Sequence, residues 1–251
     1  MFQDLNSALA SHSLASSKQV CVIVDAYSSG NLLAPELRSR GFECLHVRSG
    51  AASLWKGFQA NDFVDDLTFS GDFELLLAEL RGNAGKEREI VCVLPGAECG
   101  VLLADQLSSA LHLPSNGTRL SHARRNKFEM QVALQQCGIR SIPQIVSSSF
   151  KEILDWTRGR DVQRFVLKPV DSAGSDGVSL CSNTDELRQA FEDVYGKQNQ
   201  LDLINSSVIV QEFVEGVEYA VDTVSCRGRH FVCDIWRYGK SWLNGAPVYD
   251  F

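Results

Sequence analysis

The sequence predicts an α/β protein in two successive parts, an open parallel α/β domain followed by an α+β domain. Two observations predict the first part. Gln19–Asp25 (QVCVIVD) and Glu89–Leu94 (EIVCVL) are nearly continuous apolar runs, as expected of strands buried on both faces. Helix-length stretches lie between and after them, which is how parallel strands are connected. A third observation predicts the change of class. Beyond residue 118 the strands are short, separated by breakers, and end in three runs of which the last two share a tight turn. The expected division is a Ser- and Ala-rich leader over 1–18, an α/β domain over 19–117 and a second domain over 118–251.

Each element has its own signal. After the first strand come a loop at Ala26–Gly30, a helix at Asn31–Arg40 stopped by Gly41, and a second strand at Phe42–Val47. An amphipathic helix covers 71–81. Pro95-Gly96 turns the chain after the next strand into a helix at Glu98–Leu111. In the second part Ser121–Cys137 is expected to be one helix closed by Gly138, with a short strand at Gln144–Val146 after the Pro143 break. Ser149–Thr157 and Thr184–Tyr195 read as helices, the latter capped by Thr184. Strands are expected at Phe165–Lys168, Gly177–Cys181, Val208–Phe213, Glu218–Cys226 and His230–Arg237, with Arg227-Gly228 as a hairpin turn.

Composition excludes several classes. The 251 residues carry 24 basic and 31 acidic side chains, a net charge of −7, which disfavours a general nucleic-acid or membrane-surface binder. No apolar run approaches the roughly 20 residues that cross a bilayer. The opening MFQDLNSALASHSLASSKQV lacks the apolar core of a secretory signal, so a cytoplasmic protein is expected. The eight cysteines include no CxxC pair and sit mostly in apolar runs, where a thiol behaves as a small hydrophobe. The five histidines are isolated, so no zinc site is read. The sequons at Asn116 and Asn205 are expected to be chance matches.

The chemistry concentrates in the second part. The strands Phe165–Lys168 and Gly177–Cys181 bracket the loop Pro169–Asp176, which the plainest reading makes a hairpin with a long turn. The sharper reading is a phosphate-binding flap. Ser172, Ala173, Gly174, Ser175 and Gly177 lack bulk, so backbone N–H groups can close on phosphate oxygens, and Lys168 adds a point charge. The P-loop pattern GxxxxGK[ST] is absent. A lysine after Phe-Val-Leu in a buried strand needs a partner, whereas Lys127 reads equally well as a solvated helix residue and Phe213 as core.

In order, the chain presents HARRNKFEMQVALQQCGIRSIPQ with Lys127, a strand with Lys168, the small-residue loop, and QEFVEGVEY. This order resembles the ATP-grasp superfamily of carboxylate–amine ligases, and the first 115 residues resemble the domain that precedes its nucleotide-binding domain. VDAYSSGNLLAPELRSRGFECLHV, LPGAECGVLLADQLSSALHLP and CDIWRYGKSWLNGAPVYDF are most similar to the subgroup of L-amino-acid ligases that joins amino acids into dipeptides. The resemblance implies that ATP phosphates meet Lys127, Lys168 and the loop at Ser172, Gly174, Ser175 and Gly177. It also implies that Gln211, Glu212, Phe213 and Val214 hold adenine, largely through backbone groups, and that Glu218 bonds the ribose hydroxyls. Arg237 and Lys240 are the candidates for contact with reacting phosphate or substrate.

Such a ligase activates a carboxylate as an acyl phosphate for attack by an amine, so charge neutralisation and positioning dominate its catalysis. Its implied partners are ATP, small carboxylates and amines, with no nucleic acid or membrane and with a homodimer as the assembly. Mg²⁺ is implied as well, yet 238–251 holds no acidic pair that matches the family's metal ligands. The expectation is therefore an ATP-grasp domain incomplete at its C-terminus, with the metal ligands in a downstream segment. The alternative is a truncated or degenerate ATP-binding module without ligase activity of its own.

Overall fold

A computed structural model describes residues 17–50, 58–85, 87–172, 175–201, 203–243 and 246–250, with the side chains of all except residues 84 and 240–250. Gly174 and nearly all of the expected leader lie outside the described residues. The chain divides into two compact units between Arg125 and Asn126.

In the first unit the strands are β1 (Lys18–Val24), β2 (Glu43–Arg48), β3 (Asp65–Thr68) and β4 (Arg88–Pro95). They form one parallel sheet in the order β3-β2-β1-β4. Alternation along β1 feeds two cores, as a doubly covered sheet requires. Val20, Val22 and Val24 pack with α2 (Phe73–Ala84) and α3 (Val101–Ala110), while Cys21 and Ile23 pack with Ala34 of α1 (Leu33–Ser39) and Cys44. β3 was not expected, because DDLT is too short and acidic to read as an apolar run. The helices expected from Asn31 and Glu98 each begin instead with a 3₁₀ turn, Ser28–Leu32 and Glu98–Gly100. These turns hold backbone against backbone: a Cβ on Gly30 would stand 2.2 Å from the Gly96 carbonyl oxygen.

At the carboxyl end of β2, His46 is fully buried and fully bonded. The Ala26 N–H donates to Nε2 (3.1 Å), so the proton sits on Nδ1, which donates to Asp66 (2.8 Å). Burial pushes the His46 pKa below the ordinary histidine value, although Asp66 pulls against it. Burial also resists ionisation of Asp66, but its bonds to Arg48 and His46 outweigh that and leave its pKa below the usual carboxylate range.

The helix expected at Ser121–Cys137 is two helices, α4 (Ser121–Arg125) in the first unit and α5 (Lys127–Gln136) in the second. Asn126 breaks them. Its backbone is extended, and its side-chain oxygen accepts from the N–H groups of Phe128 and Glu129, an N-cap that competes with a continuous helix.

The second unit then builds β5 (Gln144–Ser147), α6 (Phe150–Arg158), β6 (Phe165–Pro169), β7 (Ser179–Cys181), α7 (Thr184–Val194) and β8 (Val208–Glu212). The strands form an antiparallel sheet in the order β5-β8-β6-β7. Asn183, rather than Thr184, caps α7, accepting from the Glu186 N–H. One face of the sheet is core: Phe165, Leu167, Val208 and Val210 pack against Ile153 of α6 and Leu187, Ala190 and Val194 of α7. Two hairpins follow. β9 (Tyr219–Cys226) pairs with β10 (Arg229–Arg237) around the expected Arg227-Gly228 turn, where both residues have positive φ. β11 (Gly239–Leu243) pairs with β12 (Ala246–Asp250), a hairpin the sequence did not announce.

Candidate functional site

The candidate site lies on the other face of the second unit's sheet. Antiparallel partners share a face. Lys168 pairs with Ile209, Val166 with Gln211, and Gln211 with Gln144, so Lys168, Gln211 and Gln144 lie on the face opposite the helices. These three polar positions share the face with Val146, Val166 and Ile209. Gln211 is buried, and its amide donates to Gln144 Oε1 (2.9 Å); the Gln144 amide in turn donates to the Phe128 carbonyl (2.9 Å). This relay ties β8 to the first turn of α5.

The break at Asn126 decides what Lys127 can do. At the first helical position its backbone N–H has no intrahelical acceptor and donates to Val170 O (3.2 Å), just past β6. Its ammonium donates to Ser172 O (2.7 Å). Lys127 therefore meets the expected flap through both backbone and side chain, and the reading as a free solvated lysine is set aside.

The loop expected as a flap is the connection of the hairpin β6–β7, as its plainest reading has it. Ser172 is buried, and its hydroxyl donates to Asp176 (2.8 Å). Ser175 and Gly177 both take positive φ. The Asp176 carboxylate also accepts the Gln200 N–H (2.9 Å), and the Asn199 side-chain amide donates to Asp171 O (2.8 Å). Sequence reasoning missed Asp176, Asn199 and Gln144, because no spacing signals a buried amide or a loop carboxylate that bonds at long range.

At the end of β8, Glu212 pairs with Phe165 on the helix-packed face, and its carboxylate lies 3.7 Å from Arg160. Its side chain thus turns away from Lys168, which leaves backbone as its contribution to the Lys168 face. Phe213 lies under the Arg164 guanidinium, 4.7 Å from ring centre to carbon, and its N–H donates to Arg164 O (3.0 Å). Val214, one residue on, is beyond the strand pairing and 56 % exposed. Arg237 pairs with Tyr219, and the Tyr238 N–H donates to Glu218 O (3.0 Å) at the mouth of the β9–β10 hairpin. The Lys240 backbone pairs with Tyr249, while its side chain, like Gly174, lies outside the described residues.

Among the described residues no group of three or more His, Cys, Asp or Glu could hold a metal ion. No helix among them is long and apolar enough to cross a membrane.

Residues 162–247 match the ATP-grasp domain family. Over 250 residues the chain is 36% identical to dapdiamide A synthase of Enterobacter agglomerans, a match that covers 95% of this chain and 56% of that protein. The L-amino acid ligase of Bacillus licheniformis superposes with a TM-score of 0.66 at 18% identity, over 89% of this chain and 51% of that one. D-alanyl-alanine synthetase A of Vibrio cholerae superposes with a TM-score of 0.62 at 14% identity, over 90% of this chain and 68% of that one. The chain spans about half the length of the curated relative it matches. Residues 162–247 thus match an ATP-grasp domain, a parallel α/β unit precedes them, and the fold is shared with these two solved ligases.

Proposed function

We propose that this chain supplies the first unit and the nucleotide-binding part of a cytoplasmic ATP-dependent carboxylate–amine ligase acting on amino acids. The observation that carries the reading is the convergence of Lys127 on the connection after Lys168: its ammonium on Ser172 O and its N–H on Val170 O. Two lysines and a loop of small residues suit phosphates, since phosphoryl transfer asks for neutralised charge and fixed position rather than a nucleophile. In this reading Lys127 exchanges its carbonyl partner for a phosphate oxygen, and Lys168 meets the same group from β6. Ser172, Ser175 and Gly177 present backbone N–H groups, with Gly174 between them. Gln211–Val214 offers backbone groups to adenine, Glu218 meets the ribose, and Arg237 and Lys240 face the reacting groups.

The reaction proposed transfers the γ-phosphoryl group of ATP to a carboxylate oxygen, giving ADP and an acyl phosphate. An amine then attacks the acyl carbon, loses a proton and expels inorganic phosphate. Mg²⁺ would neutralise charge on the phosphates, and its ligands are not assigned among the described residues. The 36% identity to dapdiamide A synthase and the fold shared with an L-amino acid ligase support amino acids as the substrate class.

The test is ADP release from MgATP screened over pairs of amino acids, with mass spectrometry of the products. The expected result is ADP and an amide only when both an acid and an amine are present. Saturable ATP binding with no ADP for any pair would overturn ligation and leave a nucleotide-binding module.

A further inference from the structure

The loop between α7 and β8 is more tightly bonded than a connection of its length needs, and its bonds end on the phosphate flap. Within the loop, the Asn199 side-chain oxygen accepts the N–H groups of Leu201 (2.9 Å) and Leu203 (3.2 Å). The Asn205 amide donates to Val194 O (3.2 Å), and backbone bonds join Gly196 to Asn205 and Asn199 to Leu203. Asn199 and Asn205 are both nine-tenths buried or more, which also removes Asn205 as an exposed glycan acceptor. A buried amide kept in a loop must spend its donors somewhere. The Asn199 amide donates to Asn205 Oδ1 (3.0 Å) and to Asp171 O (2.8 Å). Its neighbour Gln200 donates its N–H to Asp176, which holds the Ser172 hydroxyl.

From these contacts we propose that Asn199 is a positioning residue for the nucleotide phosphates, fixing through Asp171 the flap that Gln200 fixes through Asp176. The proposal rests on the ATP reading above and deepens it. Asn199 touches no phosphate itself. It fixes one side of the flap as Lys127 fixes the carbonyl of Ser172, so that the backbone N–H groups are aimed before the ligand arrives. Preorganisation of this kind strengthens binding by reducing the ordering cost. The phosphates benefit and the adenosine does not, because adenosine is assigned to the end of β8.

Asn199→Asp separates the two jobs of the side chain. The carboxylate still accepts from Leu201 and Leu203, so the turn at 199–203 keeps its acceptor, but the donors to Asp171 O and Asn205 Oδ1 are gone. The experiment titrates wild type and Asn199→Asp with MgATP and with adenosine monophosphate, and follows amide hydrogen exchange at residues 175–178 without nucleotide. The expected result is ATP binding weakened about tenfold, as befits the loss of one or two buried hydrogen bonds, with adenosine monophosphate binding unchanged and exchange accelerated. Equal losses for both nucleotides with a lowered melting temperature would make Asn199 merely structural and overturn the proposal. So would unchanged ATP binding with unchanged exchange. Wild-type protein that binds neither nucleotide overturns the ATP reading and the phosphate role of Asn199 with it; the exchange data then still decide whether Asn199 holds the flap.

Discussion

Gly177 shows how one residue can fix the course of a functional loop. Its φ of +63° lies in the left-handed region, and a Cβ there would stand 3.1 Å from the Pro169 ring and 3.2 Å from Val194 Cγ2. Gly177→Ala is expected to cost about 1–2 kcal/mol from backbone conformation and crowding, read as a lowered denaturation midpoint; an unchanged midpoint would mean the flap leaves by another route. His46 makes a second case. With its neutral ring bonded on both nitrogens, it takes a proton in the folded state less readily than in the unfolded chain. The unfolded state therefore binds more protons as pH falls below the ordinary histidine pKa of about 6.5, and the folded state loses ground. Asp66, with its lowered pKa, adds a loss in the same direction as pH falls further toward its folded pKa. Denaturation midpoints of the first unit should fall steadily from pH 7 to pH 5, and a flat profile would contradict the assignment of the Nδ1 tautomer.

At the scale of elements, the consequential feature is the junction of α4 and α5. The pattern HARRNKFEMQVALQQCG carries helix formers on both sides of Asn126, and only the competition of its side chain for two N–H groups separates them. That one cap leaves the Lys127 N–H available to Val170 and aims the ammonium at the flap. Asn126→Ala should cost about 1 kcal/mol in stability and also weaken ATP binding, by letting α4 and α5 merge; stability and titration curves identical to wild type would show that the break has another cause. The same junction explains what was legible in the sequence. Apolar runs such as VCVIV and VIVQE announce their strands, and the Arg227-Gly228 hairpin announces its turn. Asp65–Thr68, the 3₁₀ turns at Ser28 and Glu98, and the cap at Asn183 depend on what packs nearby, which no local pattern carries. In the site, Lys168 and the small-residue loop could be read from residue type alone. The bonds that hold the loop, to Asp176 within it from Gln200 and to Asp171 from Asn199, are made by the fold, and nothing in their spacing points there.

On the scale of the whole molecule, a parallel α/β unit with two packed faces precedes a sheet with one face packed on helices and one face of mixed character. The mixed face carries Lys168 and the Gln211–Gln144 relay beside the buried Ile209, and the flap leaves its edge under the hold of Lys127 and the 196–205 loop. The proposed nucleotide site sits on this mixed face, where polar groups in an apolar sheet are tolerated because partners meet them. The most direct measurement is calorimetric titration of the 251-residue chain and of its folded Lys168→Ala variant with MgATP. The account predicts saturable binding by the wild-type chain that weakens at least about tenfold, roughly 1.4 kcal/mol, when the ammonium is removed. ATP affinity unchanged in a folded Lys168→Ala variant, or no binding by the wild-type chain, would contradict it.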